Sequence, residues 1–200
     1  EIEIVDYGAG SKIFKSNKRK IADICKHNVK AAKYGQLLFR MTNYFQPGNI
    51  LELGTCLGIS TAYLHQGCRK ANMTTIEGDP ATAEFARKGF KLSRSKVDLR
   101  IGDFDKELPK VLNELDKVDF AFIDGNHQRE ATINYFNTLK SKADSNSVFV
   151  FDDINWPDGM KEAWSKIKSD ESVSISIDLH FLGIVFFKDS VSKQDFVLKF

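Results

Sequence analysis

Short apolar runs alternate with longer amphipathic segments along most of the chain. Five apolar runs have strand length and end at turn residues, at 50–53, 73–76, 97–101, 118–123 and 148–151. The segments between them carry apolar residues at helical spacing, at 59–68, 81–92, 106–115 and 129–142. Strands that alternate with helices are typical of a parallel sheet with helices on both faces.

The C-terminal part of the chain breaks this alternation. A helix over 161–168 is followed by two strands in succession, over 173–178 and 181–188. Two consecutive strands joined by a tight turn pair antiparallel. The pattern therefore predicts an α/β fold with a doubly wound, mostly parallel seven-stranded sheet that has one antiparallel strand. Residues 195–200 offer a short additional edge strand.

The N-terminal part of the chain has a different character. Residues 1–5 alternate as a weak strand, and apolar spacing predicts a helix over 18–29 and a second helix that ends before Pro47. The segment Asp6–Ser11 has the Asp-x-Gly-x-Gly pattern of a nucleotide-binding loop, but no apolar helix directly follows it. We interpret this segment as a turn or an N-terminal flap.

Composition and charge narrow the class of protein. The 200 residues, 42% of them hydrophobic and 28% charged, predict one globular domain, with cap elements in 1–46 and the sheet in 47–200. A net charge of +2, evenly spread, gives no case for nucleic acid, and no apolar run reaches membrane length. Three cysteines without paired spacing predict reduced thiols in a cytoplasmic protein. Because the sequence begins at Glu1 rather than Met, a preceding segment stays open.

The first strand of the alternating region ends at two glycines four residues apart, Gly54 and Gly58, where a helix begins. Glycine lets the backbone approach a ligand closely, and a helix N-terminus offers N–H groups to negative charge. Glu52 would repel phosphate and suits a ligand with an ammonium group. The loop lacks the G-x-G-x-x-G spacing of dinucleotide-binding proteins, which disfavours a dehydrogenase. An ordinary strand–turn–helix unit is the alternative.

The second strand ends at Glu77, 23 residues after Gly54. This spacing is close to the roughly 20 residues at which a second-strand carboxylate reaches ribose hydroxyls. One carboxylate can accept hydrogen bonds from both hydroxyls of a diol. Together with the glycine loop, Glu77 therefore predicts a site for a nucleotide that also carries an amino acid.

These two segments, Leu51–Ser60 and Thr75–Glu77, resemble the first two motifs of class I S-adenosylmethionine-dependent methyltransferases. The nearest branch is the small O-methyltransferases of the catechol and caffeoyl-CoA type, and the resemblance covers roughly residues 31–187. It implies S-adenosylmethionine as the cofactor, a hydroxyl group of a small molecule as the methyl acceptor, and a possible homodimer. The alternative is a non-catalytic cofactor sensor or interaction module with the same fold.

The resemblance implies a set of cofactor-binding residues in the loops after the strands, namely Glu52, Gly54, Cys56, Gly58, Ser60, Glu77, Gly78, Asp103, Phe104 and Asp124. In this set Asp103 would accept from the exocyclic amine of adenine, and Phe104 would pack on the base. We interpret Cys56 as a small loop residue rather than a nucleophile.

Carboxylates also end the fourth and fifth strands, at Asp124 and at Asp152-Asp153. Three converging carboxylates repel one another unless they are protonated or bind a cation, and Mg²⁺ takes oxygen ligands. The resemblance implies a metal held by an Asp after the fourth strand and an Asp-Asn pair after the fifth. Asp153 stands here in place of that Asn, and capping of the next turn is the alternative.

His127 lies three residues after Asp124, where the family carries a catalytic Lys. An imidazole could take a proton from a hydroxyl acceptor, so the predicted catalytic residues are Asp124 and His127. A hydrogen-bonded loop histidine is the alternative. The acceptor pocket is expected to be lined by residues after the fifth strand, namely Asn155, Trp156, Pro157 and Met160. The loop after the fourth strand lacks the Pro-Pro pair of nucleic-acid amino-methyltransferases.

Overall fold

The structure is a computed structural model, and it describes residues 1–4, 18–28 and 31–200. The chain forms two compact units, 1–108 and 109–200. The predicted division of the sequence at residue 46 stays a prediction. The segment Asp6–Ser11, predicted to be a turn or flap, lies outside the described residues.

The first unit opens with a pair of two-residue strands. Strand β1 (Ile2–Glu3) pairs antiparallel with β2 (Lys18–Arg19). Helix α1 (Ile21–Asn28) follows, and helix α2 (Ala32–Phe45) comes next. The prediction of a helix from Lys18 is therefore wrong for its first residues, because their backbone pairs with β1.

The rest of the first unit is the predicted alternation of strands and helices. Its elements are, in order, β3 (Asn49–Leu53), α3 (Ile59–Gly67), β4 (Asn72–Glu77), α4 (Pro80–Ser93) and β5 (Val97–Ile101). Strand β4 lies between β3 and β5 and is parallel to both. Parallel strands place their carboxyl ends at one edge of the sheet, so the loops after β3, β4 and β5 lie at the same edge.

Helices α2 and α3 approach each other closely. The hydroxyl of Thr42 in α2 donates to the carbonyl of Leu64 in α3 at 3.0 Å. A Cβ atom on Gly67 would lie 2.0 Å from that hydroxyl oxygen, so only glycine fits at this crossing. Asp79 caps the start of α4, because its carboxylate accepts from the Thr82 N–H at 2.7 Å, and Pro80 suits the first turn of the helix.

Helix α5 (Phe104–Glu114) runs across the boundary between the two units. The second unit continues with β6 (Phe120–Ile123), α6 (Arg129–Lys140), β7 (Val148–Asp152), α7 (Met160–Ser169), β8 (Ile175–Asp178), β9 (Leu182–Phe186) and β10 (Gln194–Val197). Within the described ranges, no helix is both long and apolar enough to cross a membrane.

The strands of the second unit lie in the order β10, β8, β9, β7, β6. Strand β9 is antiparallel to both of its neighbours, and the other pairs are parallel, which confirms the single antiparallel strand. The prediction of seven strands is one short, because β10 pairs with β8 as the offered edge strand. All four residues of β10 are exposed, so its sequence carries little burial signal.

Helix α3 begins after Gly58, whose backbone has a left-handed conformation. Its φ is +80°, and a Cβ atom there would lie 2.8 Å from the ring of Phe90. We expect Gly58→Ala to lower the free energy of unfolding by about 2–4 kcal/mol, from the left-handed backbone and the clash together.

The matched control is Gly89→Ala in α4, where a Cβ atom would meet nothing within 4 Å. This exchange should raise stability by about 0.5–1 kcal/mol, because alanine is the better helix former. Urea unfolding of both variants measures the difference. Equal stability of the two variants would contradict this account of the loop.

Candidate functional site

The loop between β3 and α3 has an unusual backbone. Gly54, Cys56 and Gly58 all have positive φ, at 101°, 47° and 80°. The Gly54 N–H donates to the Ile76 carbonyl of β4 at 2.9 Å, and the Gly58 N–H donates to the Thr55 carbonyl at 2.8 Å. The loop is therefore held by a hydrogen bond to the neighbouring strand as well as by a hydrogen bond within the loop.

A buried network lies beneath this loop. The side chain of Glu52 is fully buried, and its Oε2 accepts from Thr61 Oγ1 at 2.5 Å and from Thr75 Oγ1 at 2.7 Å. The hydroxyls of Thr55 and Thr75 lie 2.6 Å apart. Because Thr75 donates its proton to Glu52, Thr55 is the donor in this second bond. The network thereby joins β3, β4, the loop and α3 through side chains.

The network gives Glu52 a structural role, and its predicted contact with a cofactor stays a prediction. We predicted a direct contact between its carboxylate and a ligand ammonium group. In the structure Glu52 is fully buried, and Thr61 and Thr75 both donate to its Oε2. Glu52 positions the loop that the ligand would contact. The three threonines were missed, although a carboxylate inside an apolar strand requires hydrogen-bond donors.

Glu77 occupies the end of β4 and holds the loop from the other side. Its Oε2 accepts from the Cys56 N–H at 2.7 Å, and its Oε1 accepts from the Asp79 N–H at 2.9 Å. Burial raises the pKa of Glu77 above its ordinary value of 4.5, and the backbone N–H donors partly oppose this shift. The residue is half-buried, so its remaining lone pairs can accept from a ligand.

The other residues of the predicted cofactor set in this unit lie shortly after the ends of β3, β4 and β5. Gly78 and Ser60 are half-buried, and Ser60 lies in the first turn of α3. Asp103 and Phe104 follow β5 and are also half-buried, and the Gly102 N–H donates to the Glu77 carbonyl at 2.9 Å. Asp103 Oδ1 accepts from the Asp105 N–H at 2.8 Å, so it also supports the start of α5.

In the second unit the structure brings Asp124, His127 and Asp152 together. One potential ligand atom of each lies within 4.8 Å of those of the other two, and His127 Nε2 is 3.5 Å from Asp124 Oδ1. Asp152 is buried, with 1% of its surface exposed, whereas Asp124 and His127 are half-buried. Two oxygens and one nitrogen form a donor set that suits a divalent cation.

The loop that carries His127 is strained and well held. Asn126 and His127 both have positive φ, at 66° and 41°, a conformation that non-glycine residues seldom adopt. The Asn126 side-chain amide donates to the Tyr135 hydroxyl of α6 at 2.9 Å. Strained backbone at a cluster of chemically active side chains is typical of functional sites.

Asp153 is not part of this three-residue group. Its φ is +50°, and it lines a cavity of about 250 Å³ with Asn155, Trp156, Lys161, His180 and Phe181. Asn155 and Trp156 line this cavity, whereas Met160 is buried and accepts from the Thr132 hydroxyl. The predicted acceptor pocket stays a prediction. The predicted metal ligation by Asp124, Asp152 and Asp153 stays a prediction.

A model of a family described as a methyltransferase domain matches residues 51–154. The match covers more than half of the chain, so the chain belongs to this methyltransferase domain family. The matched residues include the glycine loop, Glu77 and the Asp124–Asp152 region. The match confirms the predicted family.

Curated relatives agree with this assignment over parts of the chain. The transmembrane O-methyltransferase of Propithecus coquereli is 30% identical over 95 residues, which cover 44% of this chain and 35% of the relative. The catechol O-methyltransferase of Niastella koreensis is 29% identical over 124 residues, which cover 60% of this chain and 55% of the relative. The chain therefore spans about a third of the first relative and about half of the second.

Solved structures have the same fold. The O-methyltransferase of Bacillus cereus, in complex with SAH, has a TM-score of 0.70 at 22% identity, with 82% of this chain and 86% of that chain covered. The O-methyltransferase TomG of Streptomyces achromogenes, in complex with SAM, has a TM-score of 0.70 at 20% identity, with 84% and 87% covered. This likeness confirms the predicted α/β fold of class I methyltransferases.

The buried network beneath the loop has a direct test in stability. Thr75→Val removes a donor to the buried Glu52 and should lower the free energy of unfolding by about 1–3 kcal/mol. Its control is the adjacent Thr74→Val, a buried position at which no hydrogen bond of the side chain is observed among the described residues. Urea unfolding measures both, and a Thr75→Val variant as stable as Thr74→Val would contradict the network's role.

Proposed function

We propose that the protein is an S-adenosylmethionine-dependent methyltransferase that transfers a methyl group to a hydroxyl oxygen of a small molecule. The observation that carries the proposal is the carboxylate of Glu77, held by the N–H groups of Cys56 and Asp79 at the end of β4. A carboxylate fixed in this way is ready to accept the hydroxyls of a ribose. Membership of the methyltransferase family supports the proposal.

The first unit would hold the cofactor. Glu77 would accept both ribose hydroxyls, and Asp103 and Phe104 would contact the adenine. The backbone of Gly54–Gly58 and the first turn of α3, with Ser60, would border the methionine part. The structures of the Bacillus cereus and Streptomyces achromogenes enzymes, in complex with SAH and SAM, support this use of the fold.

Residues of the second unit would serve the acceptor. Methyl transfer from a sulfonium is a displacement that needs positioning and removal of the hydroxyl proton. His127 would take this proton while the new C–O bond forms and the S–C bond breaks, which leaves a neutral thioether. Asp124, 3.5 Å from His127 Nε2, would stabilise the imidazolium that results.

A divalent cation such as Mg²⁺ is part of the proposal. The closeness of Asp124 and Asp152 supports it, because two neighbouring carboxylates favour a bound positive charge. In this proposal His127 is the base and is not a ligand of the cation. When bound, the cation would lower the pKa of an acceptor hydroxyl. Asp153 is retained as the third carboxylate that the sequence predicted. A cytoplasmic location, a small-molecule acceptor and a possible homodimer also belong to the proposal.

The alternative, a non-catalytic sensor, would use the same cofactor residues. It is not favoured, because the named relatives are O-methyltransferases. Transfer of a labelled methyl group to a panel of catechols and hydroxybenzoates separates the two functions. Cofactor binding without transfer to any compound of the panel would support the sensor.

Cofactor binding tests the role of Glu77. In isothermal titration, S-adenosylhomocysteine should bind the wild type, and Glu77→Ala should weaken binding by about 1–3 kcal/mol because ribose hydroxyls lose their acceptor. The control is Glu84→Ala, which removes an exposed carboxylate of α4 in the same unit. Absence of heat with the wild type at millimolar ligand would contradict the proposal.

Binding should also depend on pH through Glu77. The ionised carboxylate accepts both hydroxyls, so affinity should fall on acidification, and the fall should begin above pH 4.5 because the pKa is raised. Glu77→Gln should remove this dependence. The folded state binds the Glu77 proton more tightly than the unfolded chain, so the stability that this proton contributes is lost as pH rises through the folded pKa.

Chelation tests the cation, and a histidine variant tests the base. EDTA should abolish methyl transfer to the panel, and added Mg²⁺ should restore it, while affinity for S-adenosylhomocysteine stays unchanged. His127→Ala should lower turnover by about 10²–10⁴-fold, and His27→Ala, an exposed histidine of α1, should not. Asp152→Asn and Asp153→Asn, assayed side by side, show which carboxylates the cation needs. Full activity in chelator would contradict the metal.

A further inference from the structure

Strand β10 lies at the outer edge of the strands of the second unit. Among the described residues β10 pairs only with β8, so its other side is an open edge. All four of its residues are exposed. Phe196, Val197 and Leu198 expose 42%, 80% and 51% of their surface. An exposed apolar edge strand is a template for pairing with a strand of another chain.

The hydrogen bonds to β8 show which backbone groups are directed to the open edge. The Gln194 N–H donates to the Ser174 carbonyl, and the Leu198 N–H donates to the Asp178 carbonyl, both at 2.9 Å. Successive residues of a strand direct their backbone groups to opposite sides. The N–H and carbonyl groups of Asp195, Val197 and Lys199 are therefore directed away from β8.

Two charges of opposite sign flank Val197 at this edge. Asp195, Val197 and Lys199 share one face of the strand, because side chains alternate between the two faces. The Asp195 carboxylate accepts from the Ser176 hydroxyl of β8. Lys199 is exposed, and within the described part of the chain its side chain makes no hydrogen bond or ion pair.

The lysine that precedes the strand does not protect the edge. Lysine side chains often prevent an edge strand from pairing with another chain. The Nζ of Lys193 instead donates to the carbonyls of Asp170 and Val173, at 2.7 and 3.2 Å. Its charge is therefore bound within the second unit.

We propose that the open edge of β10 pairs antiparallel with β10 of a second copy of this chain, about a two-fold axis at Val197. The same residues then form both sides of the interface. In this register Asp195 lies opposite Lys199 of the second copy, and Phe196 lies opposite Leu198 of the second copy. Opposite charges and apolar side chains that face each other across two strands are favourable pairs.

Backbone direction and charge select this register. Only residues directed to the open edge can exchange hydrogen bonds, so the axis must pass through a residue and not between two residues. An axis at Phe196 would set Lys199 opposite Lys193, and an axis at Asp195 would set this carboxylate opposite itself. Like charges directly opposite are unfavourable. An axis at Val197 sets both charges of each copy opposite a charge of the other sign.

The inference goes beyond the proposed function, which includes a possible homodimer but no surface for it. Sedimentation equilibrium of the chain at increasing concentration tests the association. A monomer should convert to a dimer with a dissociation constant in the micromolar range, because pairing of two edge strands forms a small interface.

A proline at the axis tests the surface. Val197→Pro removes an N–H that is directed to the open edge and none that bonds to β8, so it should weaken the dimer at least about 10-fold. The control Val197→Thr keeps the N–H and the β-branched shape and should stay within about threefold of the wild type. Thermal melting checks that each variant is folded.

An exchange of charges tests the register. Asp195→Lys and Lys199→Asp each set like charges opposite one another, so each variant alone should associate about 3–10-fold more weakly than the wild type. An equimolar mixture of the two should regain the wild-type affinity, because opposite charges face each other again. The control Lys166→Asp, an exposed position of α7, should change nothing. If Asp195→Lys does not fold, Lys199→Asp alone tests the charge.

Three results would overturn the inference: a chain that stays monomeric at high micromolar concentration, a dimer that Val197→Pro leaves as tight as the wild type, and a Lys199→Asp variant that associates like the wild type. Failure of the inference is distinct from failure of the proposed function. If the chain stays monomeric and binds S-adenosylhomocysteine, only the inference about β10 is wrong. If S-adenosylhomocysteine fails to bind, the proposed function is wrong, whatever the association of the chain.

Discussion

The carboxylate of Glu77 is the constraint on which the first unit's site depends. One oxygen accepts from Cys56 in the loop after β3, and the other from Asp79 at the start of α4. The left-handed backbone of Cys56, with φ of 47°, is thereby stabilised by a charge-assisted hydrogen bond. Burial disfavours the ionised carboxylate and these donors favour it, so the residue that would bind the ligand also orders the loop around it.

Glu52 and Glu77 lie at different positions in their strands, and this difference gives them different roles. Glu52 lies inside β3, opposite Thr75 of β4, and is fully buried. Thr61 and Thr75 donate to its Oε2, which lowers the cost of burying this carboxylate. Glu77 ends β4 and stays half-buried, so it keeps lone pairs for a ligand. The first carboxylate supports the loop, and the second is the proposed contact.

The sequence predicted the order of strands and helices well, because periodicity and glycine turns are local signals. It failed where contacts are not local. The pairing of β1 with β2 could not be foreseen from two residues on each side. Glu52 is buried against Thr61 and Thr75, and the positions of these two threonines in the sequence do not indicate that contact. The cavity wall formed by Lys161 depends on tertiary packing.

The central claim is that Glu77 binds the ribose of the cofactor while Glu52 only supports the loop. A crystal structure of the protein with S-adenosylhomocysteine tests it most directly. The account predicts both ribose hydroxyls within hydrogen-bond distance of the Glu77 carboxylate, with Glu52 still bonded to Thr61 and Thr75 and without contact to the ligand. A ligand bound with its ribose away from Glu77, or with its ammonium group on Glu52, would contradict the account.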